Sequence, residues 1–515
     1  MATYATTVPD GASVRNISRT RKRGTKEGSH GQASTISSIV NLLNTIVGAG
    51  TLAMPSVMSH MGIMLGVVLI LWSGVTASFG LFLQSKCARY LDRGTSSFFA
   101  LSQITYPNAA VIFDLAIAVK CFGVAVSYMI IIGDLMPGVM LGFNSRASEI
   151  AYLVDRHFWI TAFMLLVIPL SFLRRLDSLK YTSIIALVSI GYLVILVIYH
   201  FASDGHADPD DILVVHWAGI VPTLSALPVV VFAYTCHQNM FSIMNEIKDN
   251  SPPSIVGVIG SSIGSAACMY VVVAITGYLT FGNAIVGNIV SMYPTGVAST
   301  IGKAAIVVLV LFSIPLQVHP CRASLDAVLK WRPNRFAAGS GLPGSPPNLL
   351  STPRGDHGSA PTLSDARFAL LTTLILTLAY VTSLSVSSLD RVLAFVGSTG
   401  STSISFILPG LFYYKISDPE SAHHQRLMKS DDDMDDDSES DEDGGSALAR
   451  SSDSLRSDSS GASPWTRWRW RRKWRWDLEQ LDQTMIRKLS LCLAIYGIVV
   501  MTVCLIMNIF FAVAR

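Results

Sequence analysis

The chain has 515 residues, of which 50% are hydrophobic and 14% charged, with a formal net charge of +3 and a mean hydropathy of +0.47. A soluble domain carries about 25% charged residues, whereas here apolar runs of about 18 residues or more recur, each long enough to cross a bilayer. Composition therefore excludes a soluble enzyme, a nucleic-acid-binding protein and a secreted disulfide scaffold, and describes an all-α polytopic membrane protein.

In chain order, residues 1–34 form a polar tail with Arg19, Arg21, Lys22, Arg23 and Lys26. Within it no short apolar stretch precedes a small-residue cleavage site, so the tail reads as disordered rather than as a signal peptide. Eleven transmembrane helices are predicted over 35–58, 62–84, 109–134, 157–173, 181–200, 217–240, 256–279, 303–320, 368–386, 391–413 and 487–511. None shows the apolar/polar alternation of a membrane β-barrel. The organisation is a ten-helix core over 35–414 made of two halves, 35–200 and 217–413, with a Pro/Gly/Ser-rich linker at 333–364. A segment at 415–486 and an eleventh helix at 487–511 follow. Within that segment, 416–463 holds an acidic run from Asp431 to Asp443 that cannot bury a core. Next comes Trp465-Thr-Arg-Trp-Arg-Trp-Arg-Arg-Lys-Trp-Arg-Trp476. Trp prefers the headgroup level and Arg/Lys attract anionic lipid, so this reads as a membrane-surface segment rather than a nucleic-acid site.

Lys and Arg set the orientation. With the N-terminus in the cytosol, only Arg146, Arg156, Lys303, Arg391 and Arg515 of the 38 basic residues fall on the other side, and Lys120 lies inside a span. With an odd span count, the C-terminus is then lumenal. All seven cysteines fall in spans or on the cytosolic side, and the sequon at Asn16-Ile-Ser18 is cytosolic.

The first span reads Asn44-Thr-Ile-Val-Gly48-Ala-Gly50-Thr51-Leu-Ala-Met-Pro55. Two glycines and a proline inside a membrane helix predict a break, tolerable only where it lines a cavity. A second half-helix starting near Thr51 turns free N–H groups and a positive dipole end toward the gap, which suits a carboxylate. The sixth span, Pro228 to Phe241, becomes polar at Thr235-Cys-His237-Gln238-Asn239 before it leaves the membrane. A first half-helix ending near Phe232 presents carbonyls, which suit an ammonium group. Spans one and six hold corresponding places in two halves of five, an odd number that inverts their topology. Paired interrupted helices in an inverted repeat point to a midplane substrate site, and the two charges describe an α-amino acid.

These residues, with Lys120-Cys-Phe-Gly-Val-Ala-Val-Ser-Tyr-Met-Ile-Ile-Ile-Gly-Asp134, Phe232-Ala-Tyr-Thr-Cys-His-Gln-Asn-Met-Phe241 and Gly397-Ser-Thr-Gly-Ser-Thr402, closely resemble the amino acid/auxin permease family, nearest to fungal vacuolar amino acid transporters and animal sodium-coupled neutral amino acid transporters. The resemblance covers about residues 35–511. It implies a leucine-transporter-like 5+5 inverted repeat with one peripheral helix, and proton- or sodium-coupled amino acid transport. In the family's sodium-coupled members an asparagine in the first span and hydroxyl residues in the eighth hold the ion. Asn44 and Ser313 match, but Leu311 replaces one hydroxyl, which favours protons over sodium.

Three ionisable residues lie in span three: Asp114, Lys120 and Asp134. Lys120, Ser127 and Asp134 fall within about 40° of one helix face, which cannot face lipid. Lys120 is either a fixed charge standing in for a coupling cation, a titrating group, or half of a structural ion pair. His237 either titrates in an acidic lumen or hydrogen-bonds a neighbouring helix. The expected substrate-binding residues are Gly48, Ala49, Gly50, Thr51, Phe232, Tyr234 and Thr235, and the expected ion-coupling residues are Asn44, Lys120, His237 and Ser313. No nucleophile–base or metal-ligand set is present in the spans, so neither enzyme activity, a cofactor nor a metal site is expected. The expected function is secondary active amino acid transport across a vacuolar membrane, from lumen to cytosol. The alternatives are a sodium-coupled transporter and a transporter-like amino acid sensor.

The acidic run generates one prediction. Ser430, Ser438 and Ser440 each have an acidic residue three positions on (Asp433, Asp441 and Asp443), a pattern that suits an acidophilic kinase. Each phosphate adds about −1.5 to −2 charges. If the run competes with anionic lipid for the basic residues of Trp465–Trp476, phosphorylation lifts that segment from the membrane. A 425–486 peptide is then expected to bind anionic liposomes less tightly when the three serines are phosphorylated. Binding should recover when 431–443 is replaced by Gly/Ser. Equal binding by all three peptides rejects the switch.

Overall fold

The computed structural model describes residues 33–91, 94–173, 182–203, 205–330, 364–421, 424–425 and 464–513. The expectations for the basic tail, the Pro/Gly/Ser-rich linker and the acidic run with Ser430, Ser438 and Ser440 lie outside the described residues, as do the side chains of Trp465–Trp476.

The helices in order are α1 (Thr35–Ile46), α2 (Ala49–Met61), α3 (Ile63–Ala88), α4 (Phe98–Thr105), α5 (Ala110–Phe143), α6 (Arg156–Ser171), α7 (Thr182–Ser203) and α8 (Ile220–Ala233). They continue with α9 (His237–Glu246), α10 (Pro252–Phe281), α11 (Ile289–Met292), α12 (Val297–Lys330), α13 (Asp365–Ser385), α14 (Leu389–Val396), α15 (Leu408–Ile416) and α16 (Pro464–Val513). Among the described residues, nine helices are long and apolar enough to cross a membrane, and the bent pair α1–α2 makes a tenth. The shorter apolar helix α6, 16 residues long, sits where the fourth span is predicted.

Burial follows the bilayer rather than water. Val68, Leu71, Trp72 and Val75 of α3, Leu370, Leu374 and Leu378 of α13, and Ile495 and Val499 of α16 are exposed. Such stripes face lipid. The interior is built from Leu52, Met54, Met58, Leu81, Ile130, Ile131 and Val230, all buried. At its centre, α2 packs against α8 and α10, α5 lies along α12, and α16 rests on α15 at the edge of the bundle.

Several boundaries run past the predicted ones. The long α12 continues through Pro315 and Pro320 to Lys330, and α5 through Pro137 to Phe143. The extension of α12 past Pro320 is polar and carries no apolar signal, so hydropathy stops short of it, whereas that of α5, Leu135 to Phe143, is apolar but set off from the preceding run by Asp134 and Pro137. Lys303 and Arg322, which the charge pattern assigns to the loops, are therefore buried within α12. The Lys303 amine donates to the Tyr293 carbonyl at 2.8 Å. Arg322 donates to Thr372 Oγ1 at 2.9 Å and lies 4.0 Å over the Phe368 ring.

Two turns position the centre. Between α2 and α3, Gly62 adopts φ +81, where a side chain is strained, and a Cβ there would lie 2.5 Å from the His216 carbonyl oxygen. The tenth span is not a plain α-helix: α14 passes through wide π-helical turns at Gly397–Ser401 and Ser403–Ile407 before α15. Gly397 packs against the Pro228 carbonyl, and a Cβ on Gly400 would lie 2.8 Å from both the Ala116 carbonyl oxygen and Lys120 Cβ. The wide turns thus seat this span against both α5 and the sixth span.

Candidate functional site

Both predicted breaks exist. In the first span, α1 ends at Ile46, Val47 is extended, Gly48 takes φ −152 and ψ −134, and α2 starts at Ala49. The two halves are bent by 53°. The second half-helix starts at Ala49 rather than near Thr51, because Gly48 supplies the irregular backbone. In the sixth span, α8 ends at Ala233, Tyr234 to Cys236 are non-helical, and α9 begins at His237.

A break frees backbone groups that hydrocarbon cannot satisfy. Short turns recover part of them: Thr51 N–H donates to the Gly48 carbonyl at 3.0 Å, and Thr235 N–H to the Phe232 carbonyl at 3.0 Å. The carbonyls of Ile46 and Ala233, one from each break, are met by the hydroxyl of Tyr270 from the unbroken α10, 2.8 Å from each. Tyr270 is wholly buried, and its ring stands edge-on to Tyr234 with centroids 5.1 Å apart. The two spans also touch directly. A Cβ on Gly50 would lie 2.6 Å from Ala233 Cβ and 2.9 Å from Ala233 Cα.

Beside the breaks lies a cavity of about 970 Å³. It runs from exposed Ser37 and Asn41 near the start of α1 to Gly48 and Ala49 at the break. Asn44, Tyr128, Gln238 and Ser313 also line it. Asn44 Oδ1 and Gln238 Oε1 are buried without a hydrogen-bond partner. Ser313 donates to the Leu309 carbonyl at 2.8 Å. The Tyr128 hydroxyl stands 3.5 Å from where a Cβ on Gly48 would be. Glu246, also on the lining, is its one charged side chain among the described residues.

The expected site residues therefore fall into three places. Asn44, Gly48, Ala49 and Ser313 line the cavity. Gly50, Thr51, Phe232, Tyr234 and Thr235 are buried and pack the two breaks together without lining it. Thr235 donates to the Val231 carbonyl at 2.8 Å and meets Ser405 Oγ of the π-helical segment at 3.2 Å. Lys120 and His237, buried and also absent from the lining, share a third place. Lys120 lies within electrostatic reach of Cys121, Cys236 and His237. The His237 ring sits beside the Ala77 backbone without reaching hydrogen-bond geometry. It is accommodated by Gly80, where a Cβ would lie 2.8 Å from Nε2. Gln84 Nε2 donates to the His237 carbonyl at 2.9 Å. Asp134, on the same face of α5 as Lys120, pairs instead with Arg156 at 3.0 Å, and Arg156 donates on to the Val386 carbonyl at 3.1 Å.

Sequence reasoning did not single out Tyr128, Gln238 or Tyr270. Gln238 lies within the polar end of the sixth span. Tyr128 and Tyr270 are hydroxyls in otherwise apolar runs, the signal by which a polar group inside a span asks for a partner or a cavity.

Chemically, the start of α2 offers N–H groups and a positive dipole end at the cavity floor. Asn44 and Gln238 offer acceptors on the same wall. The pairing of Gly50 with Ala233 yields a prediction. Gly50→Ala forces the spans apart, and overpacking of this kind typically costs about 1–3 kcal/mol. The melting temperature in detergent should fall, and Ala233→Gly added to Gly50→Ala should restore part of the loss. An unchanged melting temperature for Gly50→Ala contradicts the packing.

Comparison with known proteins agrees with this architecture. The solved structure of MhsT in complex with L-phenylalanine superposes with a TM-score of 0.54 at 12% identity, over 92% of this chain and 100% of that one. At such identity it shows the fold alone, which is leucine-transporter-like. Vacuolar amino acid transporter 6 of Saccharomyces cerevisiae is 41% identical over 422 residues, spanning 75% of this chain and 91% of that protein. Vacuolar amino acid transporter 5 of Schizosaccharomyces pombe is 43% identical over 390 residues, spanning 75% and 86%. Residues 31–432 match the family described as transmembrane amino acid transporter protein, and with broken first and sixth spans around a polar cavity, the chain belongs to that family.

Proposed function

We propose that the protein is a secondary active transporter that carries amino acids across the vacuolar membrane, from lumen to cytosol, driven by protons. The observation that carries this reading is the meeting of two broken spans beside a polar cavity. In it, the substrate carboxylate docks on the backbone at Gly48 and Ala49 at the start of α2, where Gly50 and Thr51 pack behind the cavity wall, with the Tyr128 hydroxyl beside it. The ammonium group turns toward the carbonyl end of α8 and the acceptors Asn44 and Gln238. Phe232, Tyr234 and Thr235 hold that wall in place. The excess of Lys and Arg on the N-terminal side supports a cytosolic N-terminus and a lumenal C-terminus. The cavity, which extends to the start of α1 and the end of α9, then opens to the cytosol, the state from which substrate is released. The two fungal relatives above support the vacuolar assignment.

For coupling, Lys120 and His237 are the proposed pair, a buried lysine amine and a buried imidazole within electrostatic reach of each other. The sodium reading has its own observation in favour: Asn44 and Ser313 both line the cavity. Leu311 weighs against it, because it supplies no oxygen where the resemblance calls for a second hydroxyl. Anionic lipid at Trp465–Trp476 and an acidophilic kinase acting on Ser430, Ser438 and Ser440 complete the proposed partners.

In reconstituted vesicles, amino acid uptake is expected to follow an imposed pH gradient and to collapse with a protonophore. Replacing sodium by choline should leave it unchanged. Strict sodium dependence would move coupling to Asn44 and Ser313. Binding without flux would favour the sensor.

A further inference from the structure

The two breaks are tied together from outside. We propose that Tyr270 is a positioning residue: its hydroxyl, by donating to the Ile46 and Ala233 carbonyls together, sets the distance and angle between the two half-helix ends that form the substrate site. The inference rests on the transport reading and adds to it a residue that does not touch substrate.

Four observations carry it. The first is geometry. One hydroxyl lies 2.8 Å from two carbonyl oxygens that belong to different spans, each at the last helical residue before a break. The second is accounting. In an unbroken helix, Ile46 and Ala233 would accept from the N–H groups four residues on, at Gly50 and His237. No backbone donor across the breaks reaches either carbonyl. The third is burial. Tyr270 has no exposed surface and Ala233 has 2%, so water does not substitute for the hydroxyl. The fourth is the element that supplies it. α10 is continuous from Pro252 to Phe281 and packs on α1 and α2, so the hydroxyl is held by a rigid rod rather than by either of the segments it joins.

A single proton shared between two carbonyls makes the tie conditional. It holds both oxygens only while they stay within reach of the same atom, so neither half-helix end moves alone. Without it, two buried carbonyl dipoles stand side by side with no shared donor and drive the ends apart. The site then loses its set spacing between the carboxylate-binding and ammonium-binding ends. The expected signature is a weaker hold on substrate with turnover little changed. Exposure of Cys236, wholly buried in the sixth-span break, is expected alongside.

The test replaces the hydroxyl while keeping the ring. Tyr270→Phe removes the donor, Tyr270→p-methylphenylalanine removes it but fills the space, and Tyr270→p-aminophenylalanine keeps the ring and offers N–H donors in the same place. Each full-length protein is reconstituted, and KM and kcat are read from amino acid uptake. Alkylation of Cys236 by N-ethylmaleimide is followed by peptide mass spectrometry. The p-amino protein should match wild type. The Phe and p-methyl proteins should show KM raised on the order of tenfold with kcat within about twofold, and Cys236 alkylated on the order of tenfold faster. If Tyr270→Phe fails to accumulate, the comparison of p-amino with p-methyl decides alone. Equal behaviour of those two, whether both active or both inactive, overturns the inference. Cys236 protection that depends on the donor in a protein that moves no amino acid leaves the tie standing and rejects the transport reading instead.

Discussion

A polypeptide that unwinds inside a bilayer must find partners for the backbone groups it frees, and this constraint organises the centre of the molecule. Each buried carbonyl left without a donor costs about 1–3 kcal/mol. The first and sixth spans together free several. The structure answers with local turns at Gly48–Thr51 and Phe232–Thr235, and with one hydroxyl from α10 that reaches Ile46 and Ala233 at 2.8 Å. A break of this kind is retained only where it lines a cavity, and here the cavity floor is Gly48 and Ala49.

Close packing of small residues follows from the same constraint. For Tyr270 to reach both ends, the spans must nearly touch, and they do so where Gly50 meets Ala233. The tenth span backs this contact through Gly397 against the Pro228 carbonyl and Gly400 against Lys120. Both glycines lie in the π-helical turn Gly397–Ser401. Lys120 is thereby buried beside Cys236 and His237, on the sixth span but away from the cavity lining. The cavity wall and the buried charge thus meet the same broken helix at different places. A change at one can reach the other through Tyr234, Thr235 and Cys236 without direct contact.

Much of this was legible in the sequence, for identifiable reasons. Gly-Ala-Gly before Pro55 and the early polar end of the sixth span carry local signals of interruption, and both breaks occur within a few residues of the expected places. Lys120 and His237 were legible as buried polar groups, because charge inside an apolar run has few alternatives. The partition of the expected substrate residues was not legible. Gly48 and Gly50 are two apart, yet one lines the cavity and the other packs on Ala233, because Gly48 lies in the break and Gly50 inside α2. Tyr270 was not legible either, since its partners are 224 and 37 residues away. The same holds for the end of α12, whose polar extension hydropathy does not register, and for the pairing of Asp134 with Arg156 across 22 residues.

The central claim is that an amino acid binds at the paired breaks and crosses the membrane there. It is tested most directly, and without any assumption about the coupling ion, by counterflow in proteoliposomes holding the purified protein, with each of the twenty amino acids as labelled tracer. Exchange of a subset of them is predicted, lost when Gly48→Leu fills the cavity floor while the protein stays folded. Tight binding with no exchange of any amino acid, or exchange untouched by Gly48→Leu, would contradict the account.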